Sequence, residues 1–275
     1  MSIKLKSSSS YECTKDNTQW WLLKGYIEVS LPDSLEDILY VEYQLPASFD
    51  NPIRQSKDMD TGFSISEKSW GSFELKALVF FKDASKKPLA FKDRLNFVFR
   101  PEDISGKTFY LIAKRSGKNL DIENFSEDDG ARVVQWEMLP VPPLGRGDYY
   151  DNYKFKLMDA GDGYWFLVAK KSGKFLGVKD VDSKEDGKEL VQWGISPDDL
   201  LNRPNEFNNH KFKLMDAGDG YWFLVAKHSG KFLGVNHVDS IKDGEEIVQW
   251  GISPGPSDRP NDYDNHKFKL EPVEE

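Results

Sequence analysis

The sequence predicts an all-β chain: an immunoglobulin-like β-sandwich followed by a threefold-repeated β-trefoil. Three observations predict it. A Val-Gln-Trp string occurs three times, with Gln135, Gln192 and Gln249 spaced 57 residues apart. The segment KFKLMDAGDGYWFLVAK, Lys154 to Lys170, returns almost unchanged from Lys211 to Lys227. Ahead of these repeats, short apolar runs alternate between Pro, Asp and Asn turns, and no helical stripe of useful length appears.

The elements follow in order. Residues 1–19 are expected to form a disordered or extended segment, and the sandwich runs over 20–100. Its strands are expected at Tyr26–Leu31, Ile38–Leu45, Phe63–Ser66, Phe73–Phe81 and Leu95–Phe99. Val41-Glu-Tyr43-Gln-Leu45 and Phe73-Glu-Leu75-Lys-Ala77 alternate as strands with one buried face do. Arg100-Pro101 marks a polar boundary, and the trefoil occupies 101–275 in units of about 101–158, 159–215 and 216–275. In the middle unit the strands are Tyr164–Ala169, Lys174–Val178, Glu189–Trp193 and His210–Met215. Asp162-Gly163 and Asp219-Gly220 fit tight hairpins that need positive φ. The repeat wraps around: HKFKLEP, starting at His266, supplies the half that KTFYLIAKRSGK, starting at Lys107, lacks. Closure of the last strand on the first therefore points to a ring rather than an open solenoid.

Composition excludes several classes. The chain is 39% hydrophobic and 13% aromatic over 275 residues, as two globular domains require. No run is long enough to cross a bilayer, and MSIKLKSSSS has no apolar stretch of a secretory signal, so a membrane is not an expected partner and the location is expected to be cytoplasmic. Cys13 is the only cysteine and forms no intrachain disulfide. Residues 1–100 balance 14 basic against 14 acidic side chains, so the net charge of −9 falls on the repeats. Such a surface repels phosphate backbones, and nucleic acid is not an expected partner.

The trefoil period, the Ser-Gly-Lys before each second strand and the Val-Gln-Trp strand together resemble the ricin-type (ricin B-like) lectin domain over about 101–275. The Gln-x-Trp that closes each unit in that family reads here Tyr153-Lys-Phe155, His210-Lys-Phe212 and His266-Lys-Phe268. Phenylalanine can replace tryptophan as the core plug. The resemblance implies carbohydrate or a glycoconjugate as partner, held by an Asp, a stacking aromatic and an Asn in each unit. Those positions hold Asp121, Trp136 and Asn152 in unit one, Gly177, Trp193 and Asn209 in unit two, and Gly234, Trp250 and Asn265 in unit three. Only unit one keeps the carboxylate, which makes it the expected sugar site. Two readings of the tryptophans stand open, symmetric packing or ligand platform, and the asparagines could equally brace their own loops. The long third loops also share an Arg six residues before the Asn and an aromatic two before it: Arg146 and Tyr150, Arg203 and Phe207, Arg259 and Tyr263. They read either as local loop pins or as a ligand rim.

Residues 20–100 resemble the YEATS domain, in its prokaryotic branch. The resemblance rests on Leu45-Pro-Ala-Ser48-Phe49, Asn51-Pro52 and Ser69-Trp70-Gly71-Ser72-Phe73, in that order. It implies a modified peptide or protein as partner, an acyl-lysine amide lying between Phe49 and Trp70. Ser48 would supply the hydroxyl, Gly71 with Trp70 the backbone donor, and Phe73 would open the following strand. Pro46 stands where the family has His, and Ser69 where it has Gly.

No catalytic constellation, phosphate loop or metal-binding motif is present, and acidic turns such as Asp182–Gly187 lack the alternating spacing of an EF-hand. The expectation is a non-enzymatic, two-module binding protein with no metal and no cofactor. The alternative is a scaffold whose trefoil binds protein and whose sandwich is an inactive reader.

Overall fold

The computed structural model describes residues 3–15, 18–30, 34–69, 73–95, 97, 99, 101–140, 148–203, 206–253 and 263–273. The chain divides into two compact units, one covering 1–98 with 218–220 and the other 99–217 and 221–275.

Among the described residues the first unit is a sandwich of seven strands: β1 (Ile3–Lys15), β2 (Thr18–Val29), β3 (Ile38–Gln44), β4 (Ile53–Ser56), β5 (Ile65–Ser69), β6 (Glu74–Phe81) and β7 (Leu89–Arg94). One sheet has the order β1-β2-β5 and the other β4-β3-β6-β7. In β6 the alternation places Leu75, Ala77, Val79 and Phe81 inward, against Leu23, Ile27, Val41 and Tyr43. Tyr43 is buried because its hydroxyl donates to the Phe63 carbonyl at 2.8 Å, so its polar end is satisfied inside the core.

Three features differ from the expectation. The N-terminal segment is not outside the sandwich: β1 pairs with β2 from Ile3↔Val29 to Lys15↔Thr18. Only Ile3 and Leu5 of its first half turn into the core, so the Ser-rich sequence carries little apolar alternation. The short strand β4 adds an edge that the Asn-Pro turn hides. The strand expected over Leu95–Phe99 lies earlier, as β7; Leu95 and Phe97 are buried outside any ladder, with Phe97 stacked on Trp21 at 4.7 Å. Their apolar alternation reports burial rather than pairing.

The second unit carries strands β8 (Thr108–Ala113), β9 (Asn119–Ile122), β10 (Val133–Trp136), β11 (Lys154–Asp159), β12 (Trp165–Ala169), β13 (Phe175–Val178), β14 (Lys188–Trp193), β15 (Lys211–Gly218), β16 (Tyr221–Ala226), β17 (Phe232–Val235), β18 (Glu245–Trp250) and β19 (Lys267–Pro272). They join as one twelve-stranded sheet, and β19 closes on β8 from Phe268↔Ala113 to Pro272↔Phe109. The wrapped repeat of the sequence is thus a closed ring. Phe155, Phe212 and Phe268 occupy the closing position of each unit and are fully buried, each worth roughly 2–3 kcal/mol of apolar transfer. Asp162-Gly163 and Asp219-Gly220 all take positive φ, as the hairpins demand. Among the described residues no helix is long and apolar enough to cross a membrane.

Candidate functional site

The repeated Gln-Trp pair splits into two roles. Each glutamine is fully buried and clamps the turn of the neighbouring unit. Gln192 Nε2 donates to the Ser126 and Asp128 carbonyls at 2.9 and 3.1 Å, while its Oε1 accepts from Ser172 at 2.7 Å. Gln249 grips Ser183 and Glu185 in the same way, and Gln135 grips Ser240 and Lys242. A lysine–aspartate pair backs every clamp: Lys174 with Asp129, Lys231 with Asp186, and Lys118 with Asp243. The glutamines therefore lock the ring.

The tryptophans sit beside these clamps with one face open. Trp136, Trp193 and Trp250 are 41%, 48% and 43% exposed. Each ring edge rests against a glycine of the neighbouring unit, Gly244, Gly130 and Gly187 in turn, where an added Cβ would stand 3.5–3.6 Å away. That support holds each indole in place while leaving a flat apolar surface, as sugar stacking requires.

The three units differ beneath these platforms. Asn152, Asn209 and Asn265 all brace the second strand of their own unit, donating to Ile122, Val178 and Val235 carbonyls at 2.7, 2.9 and 3.0 Å. In unit one the structure gathers Asp121 and Asn152, which are hydrogen-bonded to each other, but buries both, at 4% and 1% exposure. Buried Tyr149 and Tyr153, with hydroxyls 3.1 Å apart, pack in the same unit. Burial pushes the Asp121 carboxyl up to about 7, despite the hydrogen bonds it accepts and the nearby Lys171 charge. Unit one thus brings the family's residues together, and in unit two Asn209 and His210 are buried to a similar degree, at 4% and 6% exposure.

In units two and three the imidazole takes the space. A Cβ on Gly177 would lie 2.3 Å from the His210 ring, and one on Gly234 would lie 2.2 Å from His266. The glycines exist so that the rings can sit on the strand. His210 Nδ1 and His266 Nδ1 each lie 3.0 Å from a backbone carbonyl, Leu176 and Leu233. Burial lowers both imidazoles, His210 from the ordinary 6.5 to about 4, so both are neutral near neutral pH. Each ring thus donates from Nδ1.

Unit two carries a cavity of roughly 960 Å³. Trp193, Asn209, His210, Phe207 and Gly130 form its wall, with Lys179 to Asp182 on the rim and His228 entering from unit three. His228 Nε2 lies 3.0 Å from the Ser183 carbonyl oxygen. Asn208 Oδ1, Asn209 Oδ1 and His228 Nδ1 are buried acceptors without a partner, as are Asn119 Oδ1 and Asn152 Oδ1 in unit one. An unmet buried acceptor costs about 1–3 kcal/mol. Arg203 pairs with Asp199 and Glu206 and so pins its own loop, while Arg146 and Arg259 lie outside the described residues. Sequence reasoning misses His210 as a residue of the cavity wall. The signal was present, since the units that have Gly on the second strand have His before the closing Phe.

In the sandwich, Phe49 and Phe73 meet edge to face at 5.4 Å, while Ser48 is exposed on the same loop. A cavity of roughly 330 Å³ opens beside them, lined by Leu45, Pro46, Ala47 and Phe73. Arg54 fastens this loop, donating to the Asp50 carbonyl at 3.0 Å and pairing with Glu67. Trp70 and Gly71 lie outside the described residues. Among the described residues no three His, Cys, Asp or Glu side chains gather as a metal site.

Two family models match the chain. The prokaryotic YEATS domain matches residues 21–92, and the ricin-type beta-trefoil lectin domain-like family matches residues 151–250. Both are binding families rather than catalytic ones. Among solved structures, the designed threefold-symmetric protein ThreeFoil is 37% identical with a TM-score of 0.48, over 60% of this chain and 99% of that one. The exo-beta-1,3-galactanase 1,3Gal43A from Clostridium thermocellum is 23% identical, with a TM-score of 0.49, over 97% of this chain. This chain spans 57% of that enzyme's length. The C-half of the earthworm R-type lectin, solved with GalNAc, is 15% identical with a TM-score of 0.42, over 61% of this chain and 99% of that one. The comparison with curated proteins gives no match.

Proposed function

From a chain that joins a prokaryotic YEATS domain to a ricin-type β-trefoil lectin domain, we propose a non-enzymatic binding protein whose trefoil takes carbohydrate in unit two. The observation that carries this reading is the cavity in which half-exposed Trp193 stands beside Asn209 and neutral His210. The indole covers the apolar C–H face of a pyranose, and acceptor-bearing wall residues with a charged rim suit its hydroxyls. In unit one the Asp121 carboxylate is already engaged by Asn152, so the sugar is placed on Trp193 instead.

A glycan array that includes GalNAc and lactose tests the proposal on the full chain. Wild type should bind at least one sugar, Trp193→Ala should lose it, and Asp121→Asn should keep it. Failure of wild type to bind any glycan, or loss of binding in Asp121→Asn with Trp193→Ala unaffected, would overturn it.

The sandwich is proposed to be a reader-type module that takes a modified peptide, an acyl-lysine among the candidates, at the Ser48–Phe49 loop. Support comes from the Phe49–Phe73 pair and the small cavity next to it. Titrating acyl-lysine peptides against wild type and Phe49→Ala tests this part, and absence of saturable wild-type binding would sink it.

A further inference from the structure

We propose that the outer face of the β4-β3-β6-β7 sheet binds a medium-chain acyl carboxylate, its head on Lys76 and Lys92 and its tail across Leu78 toward Ile53. A cavity of roughly 550 Å³ lies on this face, within the roughly 300–1,000 Å³ of small-molecule sites. The alternation that buries Leu75, Ala77 and Val79 leaves Lys76 and Leu78 on the outside. Register then builds the groove. One row across the sheet reads Ile53, Gln44, Lys76 and Lys92, each paired with the next. The neighbouring row reads Glu42, Leu78 and Ala90. Between the two rows run Ala77 and Phe91, whose side chains turn to the core and whose main chain forms the floor. The ligand therefore lies on a fully paired sheet, not between strands.

Charge and size then fix the occupant. Lys76 and Lys92 stand directly opposite each other, a like-charge pair that destabilises a sheet unless an anion joins it. Lys92 has a surface pair with Glu74 at 3.3 Å, which is weak and readily exchanged, and Lys76 has no ion pair among the described residues. Ile53 and Leu78 are 50% and 38% exposed, so apolar surface is open beside the two cations. Glu42, the carboxylate of the lining, stands in the Leu78 row and keeps an anionic head at the lysines. Three strand spacings by one two-residue step make a groove of about 14 Å by 7 Å, roughly an eighth of the 800 Å² that each partner of a stable dimer buries. That suits a small ligand and not a second copy. An extended chain of about 1.5 Å bonds advances about 1.3 Å per carbon, so about eight to ten carbons reach from the lysines to Ile53. Gln44 and Lys76 also line the smaller cavity beside Pro46, whereas Leu78 and Lys92 do not.

Isothermal titration calorimetry of the full chain with decanoate tests the proposal. Saturable binding at one site is expected, with a loss of about tenfold or more in Lys76→Gln/Lys92→Gln and in Leu78→Asp, each shown folded by circular dichroism. Hexanoate should bind about tenfold or more weakly than decanoate, because each carbon removed from a one-sided groove costs about twofold. Decylammonium, with the same tail and the opposite charge, should not saturate. The proposal is overturned if decanoate does not bind, if decylammonium binds equally well, or if either folded variant binds as wild type does. Equal affinity for hexanoate and decanoate marks a mere charge patch and also overturns it. So does sedimentation velocity that finds a wild-type dimer which Leu78→Asp dissociates, since a second copy then covers the face.

Discussion

Replacing His210 by glutamine, the residue the ricin-type pattern has at that point, should make the trefoil less sensitive to acid. In the folded chain the His210 ring lies over Gly177, bonds Leu176 through Nδ1, and has its affinity for a proton lowered by burial to about 4. The unfolded imidazole titrates near 6.5. Because the folded value is the lower one, this stabilisation is complete above the unfolded value and is lost as pH falls toward 4. Between pH 7.5 and pH 5 the loss amounts to about 2 kcal/mol from His210 alone. Asp121 works in the opposite direction: its folded carboxyl, raised to about 7, binds a proton that the unfolded chain at pH 5 does not, so acid favours folding there. The wild-type profile therefore mixes opposing terms, and a difference between variants is the clean observable. Native-state hydrogen exchange, corrected for intrinsic rates and read on peptides covering Phe175–Val178, gives the opening free energy at both pH values. The stability gap between wild type and His210→Gln should narrow by about 2 kcal/mol at pH 5. A gap that stays constant within about 0.5 kcal/mol would refute the reasoning, because it would mean that the ring is protonated as readily folded as unfolded.

Other outcomes follow from the same contacts. Asp121→Asn should remove the acid-favoured contribution, so the variant loses stability relative to wild type by about 2–3 kcal/mol on moving from pH 7.5 to pH 5, measured by the same exchange. Gln192→Ala removes three hydrogen bonds from a fully buried clamp and strands two carbonyls, so urea unfolding should show a loss of about 2–4 kcal/mol. Gly177→Ala places a methyl against the His210 ring and should cost about 1–3 kcal/mol or more, with the loss relieved in a His210→Ala background.

Much of this was legible in the residues. The 57-residue spacing of Gln135, Gln192 and Gln249 revealed a closed threefold ring, because a clamp repeated in register has to serve the same place in each unit. Phe155, Phe212 and Phe268 were readable as core plugs for the same reason. β1 was not, since an edge strand that buries only Ile3 and Leu5 in its first half has nearly the composition of a loop. The choice of unit was hidden for a subtler reason. Asp121 looks like a retained sugar ligand and Gly177 like a lost one, yet Gly177 makes room for the His210 ring beside the unit-two cavity. Residue type announces chemistry, whereas access depends on what fills the neighbouring volume.

The central claim is that carbohydrate stacks on Trp193. Its most direct measurement is a two-dimensional NMR titration of the tryptophan indole N–H signals with the sugar selected on the array. The account predicts a saturable shift of the Trp193 indole, with the Trp136 signal unmoved. A titration that moves Trp136 and leaves Trp193 in place would contradict it.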